Sequence, residues 1–176
     1  QKIIGSEVRN LAKRRNVSRQ FGRTNRKETE MIEQTRKRLE YLTEIIPNLL
    51  YEIGEENFSF KISEEKWSKK EIIGHLIDSA TNNHQRFVRG QFESNPEISY
   101  NQNKWNEFSF YQQIEAEQII SFWTIYNKQI IEIIKRIPKE NLEKQIKIGN
   151  NILTLEFLIF DYVEHLEHHL KQIIEY

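Results

Sequence analysis

The stretch that decides the fold of this chain is Asp161-Tyr-Val-Glu-His-Leu-Glu-His-His-Leu-Lys-Gln172. It holds three of the five histidines, and two of them, His165 and His169, are four residues apart. Residues i and i+4 of an α-helix lie on one face, one turn apart, so these two rings can converge on one ion. The spacing makes the pair a candidate for two ligands of a divalent metal.

Helical phase separates the third histidine from this pair. The face that carries the pair is mostly apolar and should point into the core: Leu158, Tyr162, His165, His169, Gln172, Ile173 and Tyr176. His168 falls in a charged row with Glu164 and Lys171, which predicts a surface position. Two inward histidines at this spacing are nevertheless more often satisfied core or edge residues than ligands, and the pattern alone leaves that interpretation open.

The sequence excludes the zinc-protease helix motif. That motif needs a glutamate directly after the first histidine, whereas Leu166 follows His165. Glu167 lies about 200° around the helix from His165, at about 100° per residue, so it cannot act as the protease base.

Length and composition bound the class of protein. A chain of 176 residues is expected to form one domain with a sizeable core, and 38% hydrophobic with 30% charged residues suits a soluble globular protein. No apolar run approaches the ~20 residues that span a bilayer, and no signal-peptide core is visible. The absence of cysteine excludes disulfides, thiolate ligands and a cysteine nucleophile, and it fits the cytoplasm.

The zero net charge hides an asymmetry along the chain. Residues 1–30 carry nine Lys and Arg against three Glu, so they are +6 and the remainder is −6. We interpret residues 1–30 as a basic N-terminal extension outside the domain, which then covers residues 31–176. A nucleic-acid-binding arm and a targeting presequence are the alternatives, but the segment has no aromatics interleaved with its basic residues and no clean amphipathic face, and no nucleic-acid partner is expected.

Four amphipathic helices can be drawn from Met31 onward. The first contains Pro47, which should kink or interrupt it. The second begins at a capping box, Ser68 to Glu71, and should run to about Phe92.

A long connection leads to the last two helices. Residues 93–110 look polar and irregular, and a second capping box, Ser109 to Gln112, should open the third helix. Ile146 to Leu153, with Gly149 at its centre, resembles a short hairpin, and Thr154 is a plausible N-cap for the histidine helix. The predicted fold class is therefore all-α, a four-helix bundle with a long crossover between helices 2 and 3.

Three segments together resemble a known family. They are Trp67-Ser-Lys-Lys-Glu-Ile-Ile-Gly-His-Leu-Ile-Asp78 with Asn83 and Arg86 beyond it, Tyr100-Asn-Gln-Asn-Lys-Trp105, and Asp161 to Ile173. This pattern is similar to that of the DinB-like (YfiT-like) superfamily over residues 31–176. The resemblance implies a divalent metal held by one histidine on the second helix and two on the fourth, which match His75, His165 and His169. His168 would fit a shifted register, but its predicted solvent face favours His165.

The implied ligand set has a chemical consequence. Three neutral imidazoles without a protein anion leave a dication strongly Lewis acidic, with positions open for water or substrate. Zinc or nickel is the expected metal, although imidazole also suits iron and copper and ligand type alone does not settle the choice. Asp78, one turn beyond His75, is the candidate catalytic residue that orients ligands or substrate; the alternative is a surface or helix-pairing carboxylate.

Five further side chains are candidates for the same pocket. Candidate pocket polar residues are Asn82, Asn83 and Arg86; Tyr162 and Trp105 could line the pocket or belong to the plain core. His84 has no metal-pair or triad spacing and is predicted to be structural or exposed.

The implied site is compatible with three functions, and a fourth alternative is a protein without a metal site. The first is a thiol-dependent S-transferase that uses a low-molecular-weight thiol, as some relatives do. The second is a metal-dependent hydrolase acting on a small-molecule substrate, and the third is a non-catalytic metal- or ligand-binding stress-response protein. The fourth alternative is a purely structural helical bundle that binds no metal. A homodimer is a further expectation, and no membrane partner is expected.

Overall fold

A computed structural model describes residues 25–176, with side chains from Glu30 onward. The first 24 residues lie outside the described part of the chain, and the role assigned to residues 1–30 stays a prediction. The contacts discussed below belong to residues 32–176, which form one compact unit; of residues 1–31, only the start of the first helix is described. None of the helices in residues 25–176 combines the length and apolar character needed to cross a membrane.

Four long helices form the bundle, which confirms the predicted all-α class and the long crossover. They are α1 (Asn25–Tyr51), α3 (Lys69–Arg89), α5 (Ala116–Ile134) and α6 (Leu155–Leu170), joined by the short helices α2 (Glu55–Ser59) and α4 (Gln102–Phe108), two 3₁₀ turns (Tyr111–Gln113, Lys139–Asn141) and the strands β1 (Gln145–Ile148) and β2 (Asn151–Thr154). Helix α3 packs against both α5 and α6, and it also contacts the short helices α2 and α4. It is therefore the element against which the site is assembled.

Helix α1 continues through its proline. Pro47 lies inside Asn25–Tyr51, so the predicted interruption is wrong, while the alternative of a kink stays a prediction. The helix buries Leu39, Leu42 and Ile46 completely, in line with the apolar stripe in the sequence. The Arg38 guanidinium donates to a Glu167 carboxylate oxygen at 2.6 Å and ties α1 to α6.

The start of α3 has the predicted capping box. Ser68 Oγ accepts a hydrogen bond from the Glu71 amide at 3.1 Å, and the Glu71 carboxylate accepts from the Ser68 amide at 2.7 Å. Two otherwise unpaired backbone groups are thereby satisfied, which contributes about 1 kcal/mol. The helix ends at Arg89, three residues before the predicted end, with Gly90 as its C-cap, and a Cβ added to Gly90 would lie 2.7 Å from Ile146 Cδ1.

The second predicted capping box is wrong. Ser109 is the C-cap of the short helix α4, and α5 begins later, at Ala116, without a side-chain cap. A capping serine needs an extended backbone, whereas Ser109 is helical and Phe110 after it is left-handed, with φ 55°. The crossover is also more ordered than predicted, because Asn101 Oδ1 caps α4 by accepting from the Lys104 amide.

The predicted hairpin and its N-cap are confirmed. Strands β1 and β2 pair antiparallel around a turn in which Gly149 has φ 56°, and Thr154 Oγ1 accepts from the Phe157 amide at the start of α6. The Lys147 amide donates to the Pro96 carbonyl, so the hairpin also anchors the beginning of the crossover.

Candidate metal centre

His75 lies in the second turn of α3 and is completely buried. Burial, with a smaller contribution from His169, lowers the pKa of His75 to about 3, so the ring is neutral at physiological pH. The Trp67 indole packs on it with ring centroids 5.0 Å apart. Its Nδ1 atom has no hydrogen-bond partner in residues 30–176.

Helix α6 presents His165 and His169 inward and His168 outward, as the periodicity predicts. Burial, followed by the neighbouring His168, lowers the pKa of His169 to about 4, and His169 Nδ1 is buried without a partner among the described residues. His168 is exposed and lies within hydrogen-bond distance of the Gln172 amide, at 3.1 Å.

The bundle brings the three rings together. One nitrogen from each of His75, His165 and His169 lies within 4.8 Å of the others, and the His75 and His165 Nε2 atoms are 3.3 Å apart. Two nitrogens bound to one ion at about 2.0–2.1 Å with tetrahedral geometry would be separated by about 3.3 Å. Imidazole nitrogens at this separation, with the Nδ1 atoms of His75 and His169 buried and without a partner among the described residues, therefore fit a divalent metal, although metal binding itself stays a prediction.

Asp78 lies on the same side of α3, three residues beyond His75, and is 3% exposed. Its Oδ1 accepts the Tyr111 hydroxyl at 2.6 Å, whereas Oδ2 has no partner with hydrogen-bond geometry in the described part of the chain. Burial raises the pKa of Asp78 to about 6, against the opposing effect of the Tyr111 and Ser109 hydroxyls. The surface interpretation of this carboxylate is thus wrong.

The other polar candidates on α3 hold the fold together. Asn82 donates to the Asp78 carbonyl and Asn83 to the Ser79 carbonyl, each one turn back along the helix. Arg86 donates to the Ile98 carbonyl from two nitrogens, at 3.1 and 3.3 Å, and so secures the crossover.

The remaining candidates also have structural contacts. Tyr162 is buried and donates to Asn127 Oδ1 at 2.6 Å, while Trp105 is 37% exposed and packs on Tyr100. His84 Nδ1 lies 3.1 Å from the Tyr126 hydroxyl, away from the three clustered rings.

Tyr111 is the residue that sequence reasoning missed. Its ring lies where a side chain at position 74 would be, since an added Cβ on Gly74 would be 2.2 Å from Tyr111 Cδ2. The one available signal was a glycine inside a strongly helical segment, which costs about 1 kcal/mol relative to alanine and often marks a close approach.

The sequence profile of the DinB superfamily matches residues 31–173, a span that includes all three clustered histidines and Asp78. The chain belongs to the DinB superfamily. Two proteins of Oceanobacillus iheyensis, each provisionally named as a metal-dependent hydrolase, are similar to it. One is 23% identical over 146 residues, covering 82% of this chain and 84% of the relative; the other is 24% identical over 144 residues, covering 77% and 79%.

Two solved structures share this superfamily fold. YfiT from Bacillus subtilis, described as a probable metal-dependent hydrolase with an unusual four-helix bundle topology, superposes with a TM-score of 0.64 at 18% identity, over 85% of this chain and 83% of YfiT. The DinB-like protein YjoA of Bacillus subtilis gives a TM-score of 0.57 at 16% identity, over 79% and 85%. At these identities the likeness establishes the fold alone.

Proposed function

We propose that the protein is a divalent-metal-dependent enzyme and that His75, His165 and His169 hold the metal, with zinc or nickel as the expected ion. The observation that carries this proposal is the convergence of three histidine nitrogens from two helices, which lie within 4.8 Å of one another in a group that contains no carboxylate. When bound, a dication with three neutral ligands and open positions supplies Lewis acidity and lowers the pKa of a coordinating thiol or water.

The chemistry that suits this site best is S-transfer from a low-molecular-weight thiol to an electrophile. The chain has no cysteine, so the sulfur would come from a small molecule. Asp78, buried and with one oxygen that has no partner among the described residues, would take the thiol proton. The sulfur then forms a bond to the electrophilic carbon as the leaving group departs with its electron pair.

Hydrolysis is the second candidate, favoured by the names of the relatives. In that reaction Asp78 would take a proton from water, and the resulting oxygen nucleophile would attack an ester, amide or related bond. A pKa of about 6 places this carboxyl close to the value expected of a general base at neutral pH.

Turnover assays on the zinc- or nickel-loaded protein separate the two reactions. A chromogenic aryl halide is offered with a series of small thiols, and a p-nitrophenyl ester is offered with and without thiol. We expect aryl halide turnover that saturates with thiol and falls about 10²–10⁴-fold in Asp78→Asn. His75→Ala, which removes a ligand, should abolish it.

The pattern of inhibition decides the outcome. Ester cleavage that needs no thiol and is blocked by excess thiol would identify a hydrolase instead. Neither turnover, with metal still bound in stoichiometric amount, would leave the non-catalytic metal-binding protein as the function.

A further inference from the structure

One oxygen of the Asp78 carboxyl is buried without a partner. Oδ1 is paired with the Tyr111 hydroxyl, but Oδ2 receives no hydrogen bond from the described residues. Unpaired buried polar atoms cost free energy, and in folded proteins they usually mark a bound water, ion or ligand. Because Asp78 follows His75 by three residues on one helix, this oxygen belongs to the side of α3 that carries the histidine.

The backbone of the crossover positions Tyr111 next to that carboxyl. Phe110 adopts a left-handed backbone with φ 55°, a conformation that costs free energy for a bulky side chain, and the chain then makes a short 3₁₀ turn. The Gln112 amide fastens this turn by donating to Ser68 Oγ at 2.7 Å and to the Ser59 carbonyl at 3.3 Å.

Gly74 completes the arrangement from the side of α3. A Cβ there would lie 2.2–2.5 Å from three atoms of the Tyr111 ring, so only glycine allows the ring to rest on the helix at this point. The ring is thereby held against the turn of α3 that carries His75, and its hydroxyl reaches the carboxyl one turn further on.

We propose that Tyr111 is a positioning residue, which holds Asp78 through Oδ1 so that Oδ2 accepts the proton of the attacking nucleophile. The identity of that nucleophile rests on the proposed function. The proton leaves the thiol sulfur, or the water oxygen, and forms an O–H bond on Oδ2. Its electron pair stays with the nucleophile and forms the new bond to the electrophile, and Asp78 later releases the proton to the leaving group or to solvent.

A titration of metal-free protein tests the pairing without any assay of turnover. The side chains that act on the Asp78 carboxyl are those of Tyr111 and Ser109, both in the crossover. Tyr111→Phe keeps the ring and removes the donor that stabilises the ionised form, so the acid dissociation constant of Asp78, followed by carboxyl ¹³C NMR, should fall about tenfold or more. Tyr126→Phe, which removes a hydroxyl bonded to His84, is the matched control and should leave it unchanged.

Kinetics then test the role in the reaction. In Tyr111→Phe, kcat/KM at pH 7 should fall about tenfold, and the acidic limb of the pH–rate profile should move to higher pH. Gly74→Ala should have the same two effects with the hydroxyl still present, because the new methyl displaces the ring. If Gly74→Ala does not fold, Tyr111→Phe still tests whether Tyr111 positions Asp78, since the phenylalanine ring packs on Gly74 as the tyrosine ring does.

The outcomes separate this proposal from the one it rests on. An Asp78 dissociation constant that is the same in Tyr111→Phe as in wild type overturns the positioning role, and so does an unmoved pH–rate profile. Absence of turnover in the wild-type protein rejects the proposed function instead, and the titration then decides by itself whether Tyr111 controls the carboxyl.

Discussion

The histidines of this protein fall into two groups that share the same two helices. The clustered histidines, His75, His165 and His169, bring one nitrogen each to a common point inside the bundle, whereas the peripheral histidines, His84 on α3 and His168 on α6, do not belong to this group of nitrogens, although the His168 ring lies 5.4 Å from that of His169. Nine residues separate His75 from His84, which is about two and a half turns at about 100° per residue and places the two side chains on opposite sides of the helix. Helical phase, and not residue type, therefore decides which imidazoles can share an ion.

The two groups also differ in what their nitrogens contact. One ring nitrogen of His84 lies within hydrogen-bond distance of a tyrosine hydroxyl, and one of His168 lies within hydrogen-bond distance of a glutamine amide, so each ring has a partner within the chain. Two clustered rings, those of His75 and His169, keep a buried Nδ1 atom without a partner in residues 30–176. A folded chain that leaves such atoms unpaired at one place is typical of a site that binds something else.

The largest expected difference between the groups is in metal content. His75→Ala, His165→Ala and His169→Ala should each lower zinc or nickel affinity by more than about 100-fold, since even residues that only support a ligand change it 10–100-fold. Elemental analysis of untagged protein should give one metal per wild-type chain and almost none in these variants.

His84→Ala and His168→Ala serve as the matched controls. Both should retain the full metal content. Metal retained without His75, or lost only without His168, would contradict the assignment of the ligands.

Acid should destabilise the metal-free protein through the clustered histidines. Their folded-state pKa values of about 3 for His75 and about 4 for His169 lie below the ordinary 6.5, so between these limits the unfolded chain binds more protons. The contribution of these two histidines to stability is therefore largest above pH 6.5 and falls as the pH drops, by about 2 kcal/mol per histidine at pH 5.

Urea denaturation of metal-free protein at pH 7 and pH 5 measures this effect. Replacing His75 with leucine should make the difference between the two pH values smaller by about 2 kcal/mol. An equal pH dependence in wild type and in this variant would show that burial does not hold His75 neutral.

The smallest expected effect is on the stability of the peripheral variants. His168→Ala removes an exposed ring and should change the free energy of unfolding by no more than about 0.5 kcal/mol. His84→Ala loses one hydrogen bond to Tyr126 and should cost about 1 kcal/mol. Thermal denaturation measures both, and a loss of several kcal/mol in either variant would place a peripheral histidine in the core instead.

Local patterns predicted the features that depend on neighbours in the chain. The inward and outward positions of His165 and His168 follow from a 3.6-residue period, and the cap at Ser68 follows from its own four residues. The same serine pattern failed at Ser109, because the preceding residues had already formed α4 and the backbone there is helical. A capping motif is therefore reliable only where the chain before it is extended.

The sequence by itself determined the class of the fold, the helix that carries the paired histidines and the faces on which they lie, because helical periodicity and capping act over a few residues. That His75 meets them was expected from the family resemblance alone, and the tertiary structure shows the meeting, together with the packing of Tyr111 on Gly74 and its hydrogen bond to Asp78. These contacts join residues 33 to 94 positions apart in the chain. Packing of α3 against α6 and the path of the crossover set such distances, and no local preference of the chain encodes them.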